Sequence, residues 1–67
     1  MFLALEEIKD GEFTGFLLEA EDKKDILNQL IQTEKSGNSR SWYVKEEING
    51  CVVSKYRFIK STLKEID

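Results

Sequence analysis

The stretch WYVKEEINGCVVSKYRF (residues 42–58) decides the fold. At its centre Asn49-Gly50 separates two runs rich in β-branched and aromatic residues, and Asx-Gly readily takes the positive φ angles of a tight hairpin turn. Trp42, Val44 and Ile48 before the turn, and Val52, Ser54, Tyr56 and Phe58 after it, all hold even positions. A two-residue loop would oppose even positions to odd ones and split that set across two faces. A three-residue loop, Ile48-Asn49-Gly50 with Gly50 left-handed in a G1 bulge, opposes even to even. The spacing predicts that loop, with Trp42 facing Tyr56 and Val44 facing Ser54. The other face of the ribbon then carries Tyr43, Lys45, Glu47, Val53, Lys55 and Arg57, a largely polar surface.

A second Asx-Gly pair, Asp10-Gly11, lies between Phe2–Ile8 and Phe13–Ala20. Leu, Ala and Glu in residues 2–8 favour helix by propensity. The segment is nevertheless short for a helix and runs straight into the turn, so it reads as a strand. A two-residue turn would set Ile8 opposite Phe13, Leu5 opposite Phe16 and Leu3 opposite Leu18. One face would hold Leu3, Leu5, Phe16 and Leu18, the other Phe2, Ala4, Ile8, Phe13 and Leu17. This hairpin is therefore expected to be apolar on both sides.

Between the hairpins, Asp22 is suited to cap a helix, with Asp25 at N3. Ile26, Leu27, Leu30 and Ile31 recur at helical spacing over Lys23–Lys35, and Gly37 is a natural stop before the loop Ser36-Gly37-Asn38-Ser39. The tail from Lys60 to Asp67 either extends the strand or forms a short helix with Leu63 and Ile66 on one side. The expected fold is one α+β domain over residues 1–67, a ββαββ chain whose four-stranded antiparallel sheet carries the helix on one face.

The chain has 67 residues, 40% hydrophobic and 34% charged, which describes an ordinary folded domain rather than a disordered segment. A core of this size rarely supplies more than roughly 3–5 kcal/mol unaided. Cys51 is the only cysteine, so no intramolecular disulfide can form, and with no histidine a zinc site lacks its usual ligands. A lone thiol suits a reducing compartment, so a cytoplasmic location is expected. The apolar start stops after five residues without a basic leader, as neither a signal peptide nor a membrane span would. Charge is uneven: residues 1–35 carry four lysines against nine carboxylates, a net of −5, and residues 36–67 carry six cations against four carboxylates, a net of +2. Such asymmetry can orient a partner.

No motif identifies a chemistry. Without histidine the commonest general base is missing, and no glycine-rich phosphate loop occurs. Cys51 reads as a small strand residue rather than a nucleophile, because nothing near it in sequence lowers its pKa. The carboxylates at Glu6, Glu7, Asp10 and Glu12, and at Glu19, Glu21, Asp22 and Asp25, do not follow the EF-hand spacing and read as a solvated turn and a helix N-terminus. No catalytic residue, cofactor or metal is expected.

Two binding readings remain. Arg40-Ser-Trp-Tyr-Val-Lys and Lys55-Tyr-Arg-Phe-Ile-Lys interleave cations with aromatic rings, a pattern used by single-strand nucleic-acid binders. Trp42, Tyr56 and Phe58 fall on the buried side, however, and the net charge is −3. Protein recognition accounts for more of the chain, since edge strands can pair with a partner or with a second copy in a homodimer, and the first hairpin has more apolar residues than one helix can cover. The expected function is a non-enzymatic protein-binding module, an inhibitor, adaptor or regulator, with nucleic-acid binding as the alternative. Phe2, Phe13 and Leu17 form its expected interface, and Tyr43, Lys55 and Arg57 a second patch. The chain reads as self-contained, and its size would suit an accessory protein of a phage or mobile element, an expectation that rests on no family resemblance.

Overall fold

Asp22 starts the helix as its side chain predicts: Oδ1 accepts the Asp25 N–H at 2.8 Å, and the helix α1 runs Lys23–Lys35. It ends where Ser36 donates back to Gln32 and Gly37 takes a φ of +93°. The computed structural model describes residues 1–9, 11–37 and 41–66. Asp10, Asn38, Ser39, Arg40 and Asp67 lie outside that set, and with them parts of the expected first turn, the post-helix loop and the tail.

Five strands surround the helix in sequence: β1 (Phe2–Lys9), β2 (Glu12–Ala20), β3 (Trp42–Ile48), β4 (Cys51–Ile59) and β5 (Thr62–Ile66). They form one sheet in the order β2-β1-β3-β4-β5, with every neighbouring pair antiparallel. The fold is thus α+β, with one helix and five strands among the described residues rather than the expected four strands. The tail is a strand, not a short helix. Lys60 and Ser61 both adopt positive φ angles, 51° and 62°, and turn the chain back without a glycine or asparagine. Glu34 on the helix holds that turn, accepting the Ser61 backbone N–H at 3.0 Å and also its hydroxyl. The left-handed conformation costs a side chain such as lysine about 1 kcal/mol, and asparagine tolerates it better. Lys60→Asn is accordingly expected to stabilise the domain by roughly 0.5–1 kcal/mol in urea titration, and a loss of stability would contradict this turn geometry.

From Ser54 to Phe58 the second hairpin keeps the expected parity by a different route, whereas Val52, expected on the buried face, opposes Glu47 instead. Asn49 (φ 53°) and Gly50 (φ 80°) form a two-residue turn between Ile48 and Cys51. The extra residue that restores parity is Val53, left out between the pairs Glu47–Val52 and Glu46–Ser54. Trp42 therefore opposes Phe58, and Val44 opposes Tyr56, two positions from the register expected for a three-residue loop. The primed turn matches the twist of the strands it joins, so the bulge sits inside β4 rather than at the corner.

The first hairpin departs further. Lys9 pairs with Glu12, as a two-residue turn requires, but the register then shifts twice, through Glu7–Phe13 to Leu5–Leu17, Ala4–Leu18 and Phe2–Ala20. Glu6 alone spans Thr14, Gly15 and Phe16. Gly15 takes a φ of +95°, and the Phe16 N–H is bonded to the Thr14 hydroxyl at 3.1 Å. Because side chains alternate with period two, a net slip of one residue moves each partner to the other face. Phe2 and Ala4 now share a face with Leu18 and Ala20, while Leu3 and Leu5 join Phe13 and Leu17.

The core lies between the helix and the first of these faces. Phe2, Ala4, Ile26, Leu30, Trp42, Val44, Tyr56 and Phe58 are buried there, flanked by Leu18, Ala20, Leu27, Ile31 and Leu63. Ala4, fully buried in a central strand, leaves room for the helix to approach. The helix is tied down on both sides, by Gln29 donating to the Glu19 carbonyl at 3.0 Å and by Glu34 at the β4–β5 turn. Lys23 Nζ lies 4.9 Å above the Tyr56 ring.

Candidate functional site: the open face of the sheet

One helix covers one side of a five-stranded sheet, so the other side is open. Cross-strand pairing sets its composition. Leu3, Leu5 and Glu7 of β1 lie beside Glu19, Leu17 and Phe13 of β2, and Leu5 is also paired with Tyr43 of β3. Tyr43 faces Arg57, Lys45 faces Lys55, and Arg57 in turn faces Lys64 of β5. The face is thus divided, with mainly apolar side chains beside Glu7 and Glu19 on β2 and β1, and cations beside Glu47 from β3 to β5. Phe13 and Leu17 are 45% and 46% exposed, far from the burial expected of core residues. The Phe13 and Tyr43 rings meet across β1 with centroids 6.4 Å apart, joining the two halves.

Five of the six interface residues expected from sequence, Phe13, Leu17, Tyr43, Lys55 and Arg57, therefore share one surface rather than forming two. Phe2 is the correction. It belongs to the helix-covered core, where it packs against the Tyr56 ring at 6.4 Å, because the one-residue shift at Ile8 sets Phe13 on the face of Glu7 and Leu5 rather than on that of Phe2. Lys45, expected on the same ribbon face as Tyr43, Lys55 and Arg57, joins the surface, and so does Lys64, which the sequence did not single out. Lys64 lies in the tail that the sequence left as strand or helix; the alternation of Lys64 and Ile66 with Leu63 and Glu65 is its strand signal.

Glu7 sits at the boundary of the two halves, 3% exposed. Arg57 Nη2 donates to its Oε2 at 3.4 Å, while Oε1 has no hydrogen-bond partner among the described residues. A buried carboxylate is costly unless a cation attends it, so Arg57 is drawn across the face toward the apolar half. Lys45 forms a 3.0 Å ion pair with Glu47 on its own strand.

The sheet edges are less inviting than the sequence suggested. β5 is five residues long and carries Lys64, and β2 is broken by the irregularity at Gly15 and lined by Glu12 and Glu19. Short, charged or bulged edges resist pairing with another strand. Elsewhere, a groove of about 310 Å³ beside the last turns of the helix is lined by Glu6, Phe16, Leu18, Thr33, Ser36 and Trp42.

Among the described residues no three or more His, Cys, Asp or Glu side chains converge to hold a metal. Cys51 is exposed as a free thiol. No helix of the described residues is long and apolar enough to cross a membrane. No protein-family model, curated protein or solved structure matches this chain.

Proposed function

We propose that this chain is a non-enzymatic protein-binding module, acting as an inhibitor, adaptor or regulator, and that it recognises its partner through the open face of the sheet. The observation that carries this reading is the exposure of Phe13 and Leu17 together, beside Leu3, Leu5 and Tyr43, on the one sheet face that the helix leaves uncovered. Contiguous apolar surface rimmed by charge is characteristic of interfaces, and aromatic and arginine side chains dominate their energetics. The double variant Phe13→Thr/Leu17→Thr tests it. Co-purification with the tagged chain should recover a partner with the native sequence and lose it with the variant.

Nucleic-acid binding has narrower support. It would draw on Lys45, Lys55, Arg57 and Lys64 beside Tyr43, but Trp42, Tyr56 and Phe58 are buried under the helix and offer no stacking surface. Trp42 fluorescence consequently reports on the core rather than on ligands of the open face.

A further inference from the structure

We propose that the open face takes an acidic amphipathic protein segment, whose apolar anchors cover the β1–β2 half and whose carboxylates meet the β4–β5 half. This rests on the protein-binding reading above and names the chemistry of the partner. The pairing of the cations themselves carries the inference. Lys45 stands directly opposite Lys55, and Arg57 directly opposite Lys64. Like charges in directly opposed positions destabilise a sheet, and here two such pairs lie side by side. Glu47 attends Lys45 and Glu7 attends Arg57, whereas among the described residues no carboxylate pairs with Lys55 or Lys64. Folding does not call for this arrangement. An anion bound over it relieves the repulsion.

The surface there has a seat for such an anion. Arg57, Ile59, Thr62, Lys64 and Ile66 line a depression of about 260 Å³. Its isoleucines can receive the methylenes of a glutamate, and its cations and hydroxyl can receive the carboxylate. Phosphate would also satisfy the cations, but the neighbouring half of the face offers leucine and phenylalanine, which suit apolar side chains and give nothing to a sugar-phosphate backbone. Four strand spacings separate β2 from β5, about 19 Å, which a helical segment of about 13 residues spans.

Selection of displayed random peptides of about 16 residues on the immobilised full chain tests the proposal, with Phe13→Thr/Leu17→Thr as counter-selection. The expected winners combine leucine or aromatic residues with a net negative charge. Synthesised, they should bind about tenfold more weakly to Lys55→Gln/Lys64→Gln and weaken further as salt is raised. That variant should melt no lower than the native chain, since it removes like-charge repulsion. Winners that are neutral or basic, or that ignore Lys55→Gln/Lys64→Gln, overturn the acidic-partner proposal and leave the protein-binding reading standing. A library in which every binder of the native chain is removed by the counter-selection overturns both. Tight, salt-sensitive binding of single-stranded oligothymidine that Lys55→Gln/Lys64→Gln abolishes would assign the cations to nucleic acid instead. A concentration-dependent dimer in sedimentation, lost in Phe13→Thr/Leu17→Thr, would put a second copy on the face and likewise overturn it.

Discussion

Phe58→Ala is expected to leave most of the chain unfolded in dilute buffer at 25 °C. Phe58 is 1% exposed, in a strand with neighbours on both sides, and its direct partners across those strands are Trp42 and Leu63. Truncating a buried phenylalanine costs about 3–5 kcal/mol, from lost transfer energy and from the cavity left behind. A domain of 67 residues has roughly 3–10 kcal/mol of stability in total. The substitution therefore removes most of what holds the fold together. Ile59→Ala is the internal control: the neighbouring side chain points to the open face, is 46% exposed, and should cost less than about 1 kcal/mol. Urea unfolding followed by fluorescence of Trp42 reads both. If Phe58→Ala lost no more than Ile59→Ala, the two faces of the sheet would have been assigned the wrong way round.

The second large effect concerns binding without unfolding. Phe13→Thr/Leu17→Thr removes two half-exposed apolar side chains while keeping β-favouring residues in β2, so stability should change by less than about 1 kcal/mol. Central apolar anchors of an interface are commonly worth about 2 kcal/mol or more each, and the pair should reduce partner capture by about 100-fold or more. Ile48→Thr provides the contrast. Ile48 is also exposed, but it sits at the β3–β4 turn, away from the apolar half of the face. Its substitution should leave capture intact. Equal capture by the native chain and the double variant would remove the open face from consideration as the interface.

Features governed by local chemistry were legible in the sequence. The helix was read to its limits, because Asp22, Asp25 and the spacing of Ile26, Leu27, Leu30 and Ile31 act within a few residues of one another. The odd-numbered polar face of the second hairpin was legible too, since Val53 restores the parity that the Asn49-Gly50 turn alone would have broken. Register in the first hairpin was not. It depends on Ile8, left out between the pairs Glu7–Phe13 and Lys9–Glu12, and on the extra residues opposite Glu6; the isolated Gly15 inside a strand pattern signalled only the latter. The fifth strand was hidden because Lys60-Ser61 carries no turn residue; its support comes from Glu34, 27 positions away along the chain. That strand brings Lys64 beside Arg57, and the one-residue shift at Ile8 brings Phe13 and Leu17 onto the same face. The site was thus visible as residues but not as a surface.

The place of Phe13 and Leu17 on the open face depends on the register shifts of the first hairpin, and the nuclear Overhauser spectrum of the folded chain measures them most directly. Contacts are expected between the Leu5 and Leu17 methyl groups and between the Phe13 and Tyr43 rings, with Phe2 showing contacts to Tyr56. Contacts from Leu5 to the Phe16 ring and from Ile8 to Phe13, in their place, would contradict those shifts.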